Sequence, residues 1–500
     1  MKEAVKASEG VEQGEGRAGT RRKPWSRDAL VLLALALALA VFLGFGLAEV
    51  YRIDGLYSYD PYYHMHVSEL TGEEQSIVTS IPLYGGTQRL QYSSSLHFLA
   101  TLVHEYTGIS YLTIYRLLGL FCRAFAALAI FMTASYLLGD RRYGLVAAML
   151  FLSAPYIFYR SLIGYPENLV LPFHILIFNS IVHTLREEHG DRALPLYISA
   201  ALYVHYRSLV VPALILASFA LFLLLRKRFR YLLALIAGTA ALAAPIIRSA
   251  FEQYRSYLSG NVGTDAAWKP FTVGNPNYNV PSLDYYLSQL GVLLVLLSLV
   301  GAFVLLRRMN QENFILLMWL GFAFLLSRGK QVGLYVPTDR MMAYLCVPAA
   351  LASAQAVKEM LGTTLLQGRA RLTVGAALSL TLAFTLAVTP PGIRGWVGVG
   401  RERLEAAAWL NENVPDEGVI VPYGVDLFTM GVRKYGNIAA RSGEVWRRAF
   451  DNPSGVRAEM RERYPGRDVY IVSEADRLTL GEAKVVYSQG KVVIYRYARD

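Results

Sequence analysis

The chain has 500 residues, 54% of them hydrophobic and 17% charged, with a mean hydropathy of +0.33. A soluble domain does not carry that much apolar surface with so few charges, so a soluble globular enzyme is excluded. The net charge of +11 would suit a nucleic-acid binder, but the basic residues cluster beside apolar stretches, where they set orientation and meet anionic membrane lipids, so no nucleic-acid partner is expected.

Residues 1–27 read as a basic tail whose first part is disordered, ending in Arg21-Arg22-Lys23 and Arg27, which predicts a cytosolic N-terminus. The apolar run Ala29 to Val50 is longer than a signal-peptide core and is followed by Tyr51-Arg52-Ile53-Asp54 rather than a small-residue cleavage pattern, so it reads as an uncleaved anchor. Thr113 to Leu138, Tyr231 to Ala250 and Leu287 to Leu306 are also long enough to cross a hydrocarbon core as helices. Hydropathy and the positive-inside rule together predict about 11 spans in a polytopic helical domain over residues 28–392. The basic loops at Arg141-Arg142, Arg186 to Arg192, Arg226 to Arg230, Arg307-Arg308 and Lys358 to Arg371 then share the cytosolic side. That alternation requires Ser94 to Tyr106 to be a surface helix. It also requires a break near His205-Tyr206-Arg207 in the apolar stretch Leu194 to Leu225. The loops at 51–111, 160–167, 251–285 and 328–340 face outward, and an integral protein of the plasma membrane with an extracytoplasmic active face is expected. Cys122 and Cys346 fall inside predicted spans, which leaves no disulfide framework or cysteine-bound metal.

After Pro390-Pro391-Gly392 the composition becomes that of a soluble domain. Arg401 to Asn413 has helical periodicity, with Leu404, Ala407, Ala408 and Asn411 on one face. Gly418 to Tyr423 and Val469 to Ser473 read as strands, and Lys484 to Ser488 with Lys491 to Tyr497 as a hairpin closed by Gln489-Gly490. Residues 393–500 are therefore expected to form a small extracytoplasmic α/β domain, without a glycine-rich dinucleotide fingerprint.

The sharpest local motif is Tyr57-Ser58-Tyr59-Asp60-Pro61-Tyr62-Tyr63-His64-Met65-His66. Pro61 fits the first helical position, making Asp60 the N-cap and placing His64 one turn on. A carboxylate and an imidazole at that spacing suit a shared divalent cation; a plain helix cap beside interfacial tyrosines is the other reading. His205 and Arg207, at a helix break, read either as functional polar groups at membrane depth or as headgroup contacts. Asp54 reads as a turn residue.

Asp60-Pro61-Tyr62-Tyr63-His64 after a first span resembles archaeal members of the oligosaccharyltransferase catalytic subunit family. These are membrane transferases of the GT-C fold that move a glycan from a polyprenyl (dolichyl) phosphate or pyrophosphate carrier to asparagine. The resemblance continues through Ser94 to Ile109, Ala154-Pro155, Arg160-Ser161-Leu162-Ile163-Gly164-Tyr165, Phe271-Thr272-Val273-Gly274, Arg340-Met341-Met342-Ala343-Tyr344 with Pro348, and Ala408 to Pro415, covering roughly residues 28 to 425. It departs at Pro166-Glu167-Asn168, where one carboxylate replaces an acidic pair, and at Asn275, where the family has glutamate. It departs also at Val421-Pro422-Tyr423-Gly424-Val425-Asp426, where the acceptor-holding Trp-Trp-Asp-Tyr-Gly is expected.

The resemblance implies a divergent GT-C-like glycosyltransferase. Asp60 and Glu167 are its catalytic candidates, and Asp60, Glu167 and His64 its candidates to hold a divalent cation (Mn or Mg). Arg340 is its candidate for the carrier phosphate, since a guanidinium matches phosphate oxygens, and Arg207 at the helix break is a second candidate on its position. The implied partners are a polyprenyl-phosphate-linked glycan donor and an acceptor that is protein asparagine. Two other readings stay open: a polyprenyl-phosphate-monosaccharide-dependent transferase acting on a lipid or polysaccharide, and an inactive lipid-glycan binder or transporter.

Overall fold

The computed structural model describes residues 26–58, 60–78, 80–83, 86–89, 94–187, 190–205, 210–261, 281–328, 338–362, 401–423, 464–474 and 483–497, with a few single positions between 376 and 383 and at 432 and 462. The chain is built on helices α1 (Arg27–Val50), α2 (Asp60–Glu73), α3 (Ser95–Thr107), α4 (Tyr111–Leu138), α5 (Arg141–Leu152), α6 (Pro155–Ser161), α7 (Pro166–Arg186), α8 (Leu194–His205), α9 (Val210–Leu225), α10 (Phe229–Asn261), α11 (Leu283–Leu290), α12 (Val292–Arg307), α13 (Gln311–Ser327), α14 (Thr338–Gly362) and α15 (Arg401–Asn413). A short hairpin, β1 (Ser80–Leu83) with β2 (Gly86–Arg89), lies between α2 and α3.

Among the described residues, five helices are long and apolar enough to cross a membrane, or up to seven if each of two bent pairs is one span. The bends have local causes. Pro155 has no N–H to continue α5, so α6 leaves it at 70°. Gly291, at φ 86°, sits in the left-handed region between α11 and α12, which meet at 105°. Three shorter apolar helices, α8, α9 and α13, join them; α8 ends at His205 and α9 begins at Val210, and residues 206–207 of the expected break lie outside the described residues. The apolar segment of α14 is 94% buried, whereas that of α1 is 28% and that of α10 11% buried, so α14 is the central helix and the other two present apolar faces outward. The amphipathic helix α3 packs on α2 and exposes Phe98, Leu99 and Tyr106.

Basic residues from several short connections gather at one end of the bundle. Arg27 pairs with Asp140, Asp28 with Arg141, Arg186 with Glu312 and Arg308 with Glu359. Arg186 also donates to the Tyr136 and Leu137 carbonyls, Lys358 to that of Leu138, and Arg226 and Arg228 to those of Leu185 and Thr184. These are last-turn carbonyls of α4 and α7 that lack intrahelical donors, so the cations close both helix ends.

The opposite end carries α2, α3 and the C-terminal sheet. Its order is β3 (Val419–Tyr423), β4 (Val469–Glu474), β6 (Val492–Tyr497), β5 (Lys484–Gln489), with β3 and β4 parallel and the other pairs antiparallel. One face packs Ile420, Tyr470, Val472, Val492 and Ile494 against Ala406, Ala407 and Leu410 of α15, and the same cluster includes Val67 of α2. The buried face of α15 is thus rotated from the expected one. Ala408 is exposed, and Leu404 packs instead with Leu56 and Tyr62 near the start of α2.

Candidate active site

The loop before α2 is fixed at several points. Arg116 of α4 donates to the carbonyls of Ile53 (3.2 Å), Gly55 (3.2 Å) and Asp54, so Asp54 serves the turn through its backbone. The Tyr62 hydroxyl accepts the Leu56 N–H at 2.8 Å, and the Tyr57 hydroxyl donates to Glu49 at 2.9 Å. Ser58 holds a positive φ of 70°, a costly conformation for a residue with a Cβ, and its hydroxyl lies 2.8 Å from that of Tyr165. Asp60 then opens α2 as its first helical residue, with its carboxylate turned to Arg340.

Glu167 follows Pro166 in the first turn of α7, where the helix dipole favours a carboxylate and proline costs no hydrogen bond. The turn before it is held by Asn168, whose amide donates to the carbonyls of Arg160 (3.0 Å) and Ile163 and whose oxygen accepts from Arg123 at 2.6 Å. Gly119 of α4 lies directly beneath: a methyl there would run into the Ser161 and Ile163 carbonyls. Arg160 stacks on the Tyr165 ring at 4.1 Å. Burial, and then the charge of Asp60, raise the Tyr165 hydroxyl above its ordinary value, which keeps it a neutral hydrogen-bonding group.

Arg340, in the first turn of α14, joins the two carboxylates. Its Nη1 lies 2.5 Å from Glu167 Oε1 and its Nη2 3.5 Å from Asp60 Oδ2. The side chains of Asp60 and Arg340 are 25% and 28% exposed against 5% for Glu167, so the group opens on its Asp60–Arg340 side and closes behind Glu167. His205, at the end of α8, brings Nε2 within 3.9 Å of Glu167 Oε1. Buried Glu167 Oε2 has no hydrogen-bond partner among the described residues.

His64 feels the charges of Glu167, His205 and Arg340 but has one nitrogen engaged by another helix. Its Nδ1 shares a 3.0 Å hydrogen bond with His97 Nε2 of α3, and the rings stack. Burial holds His97 down to about 3, and burial, then His97 itself, hold His64 well below the ordinary imidazole value. Arg207 lies outside the described residues. A hard divalent cation needs several oxygen donors around one point. Among the described residues no group of three or more His, Cys, Asp or Glu side chains could hold a metal ion. Asp60, Glu167 and His64 as arranged do not fit one, because Arg340 fills the gap between the carboxylates. Ser58, Tyr165 and His97 lie within stretches that the sequence marks, but no pattern pairs them with their partners, which are remote in the chain.

No protein-family model matches the sequence, and no curated protein matches it. Solved structures do. The oligosaccharyltransferase of Archaeoglobus fulgidus in its apo form is similar at 14% identity over 90% of this chain and 70% of its own, with a TM-score of 0.67. ArnT from Cupriavidus metallidurans bound to undecaprenyl phosphate is similar at 12% identity over 94% of this chain and 98% of its own, TM-score 0.63. The arabinofuranosyltransferase AftD from Mycobacteria is similar at 12% identity over 93% of this chain and 41% of its own, TM-score 0.58. All three are GT-C fold glycosyltransferases, and this chain, divergent in sequence from each, has their fold.

Proposed function

We propose that the chain is a membrane glycosyltransferase that moves a glycan from a polyprenyl phosphate or pyrophosphate carrier to an acceptor, protein asparagine being the first acceptor to test. The observation that supports this reading is the meeting of Asp60, Glu167 and Arg340, from three distant parts of the chain, in a group that opens on one side. In the transfer, the bond between the anomeric carbon and the carrier phosphate breaks and its electron pair stays on the phosphate oxygen. The acceptor forms the new bond and gives up a proton. Arg340 meets the growing phosphate charge through its paired N–H groups. Asp60, the more exposed carboxylate, orients the acceptor and takes its proton. Glu167, buried at the helix start, holds the guanidinium in place. The basic residues at the opposite end support a reading with a cytosolic N-terminus and this group facing outward.

Structures of the Archaeoglobus fulgidus enzyme with dolichol-phosphate and an inhibitory peptide, and of ArnT with undecaprenyl phosphate, guide the choice of donors. A second reading, transfer of a monosaccharide from a polyprenyl phosphate to a lipid or polysaccharide, is favoured by one observation. The match spans 98% of ArnT but 70% of the oligosaccharyltransferase. The purified chain in nanodiscs is incubated with each donor and with a sequon peptide or a glycolipid acceptor, and the products are read by mass spectrometry. Glycopeptide supports the first reading, and glycolipid alone the second. No product with any pair, or equal turnover by Asp60→Asn, removes the catalytic assignment.

A further inference from the structure

We propose that Arg340 takes the place of a divalent cation at this site, its guanidinium both joining the carboxylates and meeting the carrier phosphate directly. The phosphate clause rests on the glycosyltransferase reading; the absence of a cation position does not. A metal shared by Asp60 and Glu167 would need an oxygen of each within about 2.0–2.6 Å of one point. That space holds the guanidinium, 2.5 Å from Glu167 and 3.5 Å from Asp60.

Charge leads to the same conclusion. The two carboxylates already face Arg340, and Glu167 also feels the charge of Arg160. A doubly charged ion placed beside Arg340 would meet repulsion that grows as water is excluded. Among the described residues, Asn168, next to Glu167, is turned to Arg123 and to the carbonyls of the preceding turn rather than into this space.

The test is a Mn2+ titration of the full chain in zwitterionic nanodiscs, with bound ion counted by electron paramagnetic resonance. It needs neither donor nor acceptor, so a failure of the transferase reading leaves its outcome intact. The wild type is expected to bind no more Mn2+ than the Asp60→Asn, Glu167→Gln double variant. Arg340→Gln is expected to gain one equivalent, lost again when Asp60→Asn is added. One equivalent more in the wild type than in the double variant overturns the proposal, and so does a folded Arg340→Gln that gains none. If Arg340→Gln does not fold, the comparison of wild type with Asp60→Asn alone decides: equal binding supports the proposal and an Asp60-dependent equivalent overturns it.

Discussion

The hydroxyls of Ser58 and Tyr165 lie 2.8 Å apart and join the loop before α2 to the loop before α7. Each stands two residues ahead of a carboxylate, Asp60 in one case and Glu167 in the other, so this hydrogen bond ties together the two segments that present the acids. Losing such a bond costs about 1 kcal/mol of stability. A loosened reacting geometry costs more, up to about 100-fold in rate for a displacement near 1 Å. Tyr165→Phe is therefore expected to lower kcat by about 10-fold or more while moving the melting temperature little. Steady-state kinetics beside a thermal melt check this, and an unchanged kcat would show that the clamp is structural only.

At Gly119, α4 lies directly against the turn that presents Glu167. The atoms a methyl would meet there are backbone carbonyls, which cannot rotate away. Gly119→Val is expected to be destabilised by about 3 kcal/mol, the upper part of the range for overpacked cores. Gly44, with nothing near its would-be methyl, is the control, and Gly44→Ala is expected to melt like the wild type. The check is the melting midpoint of both variants in one detergent.

The buried His64–His97 pair gives the fold an acid limit. An unfolded histidine titrates near 6.5, whereas burial holds His97 down to about 3 and lowers His64 as well. Below about 6.5 the unfolded chain binds protons that the folded pair refuses, so stability is whole above that pH and is lost as pH falls toward about 3. Thermal melts from neutral to acid pH are expected to show a falling midpoint, and His97→Phe to show a shallower fall. Equal slopes for the two proteins would contradict the assignment.

Arg186 tests the other end of the bundle. It forms 2.7 Å bonds to both oxygens of Glu312, donates to two carbonyls of α4 and stacks on Tyr136 at 4.9 Å. Charge-assisted bonds of this kind contribute about 1.5–3 kcal/mol. Arg186→Ala is expected to lower the melting temperature and to leave KM for the donor unchanged, as measured on the folded fraction.

What the sequence disclosed follows from the range of the interactions. The first span, the Asp60-Pro61 helix start and the C-terminal strands are local, and the structure has them within a residue or two of their expected limits. The bend at Pro155 also has a local cause, yet hydropathy alone runs through it. The proximity of His205 to Glu167 and the partner of His64 are set by packing between helices, which periodicity does not encode. The resemblance placed Asp60, Glu167 and Arg340 in one site, although 173 residues separate the last two. Spacing within one helix put His64 one turn from Asp60 but says nothing of His97, its hydrogen-bond partner 33 residues away on another.

The role proposed for Arg340 is to receive the carrier phosphate at the group it forms with Asp60 and Glu167. Its most direct measurement is the equilibrium binding of polyprenyl phosphate to the purified chain by native mass spectrometry. Wild type is compared with Arg340→Gln and with Arg308→Gln, which lies at the far end of the bundle beside Glu359. Loss of a charge-assisted hydrogen bond to phosphate corresponds to about 10- to 100-fold in affinity. The expected result is that loss for Arg340→Gln and wild-type affinity for Arg308→Gln; equal affinity in all three proteins would contradict the claim.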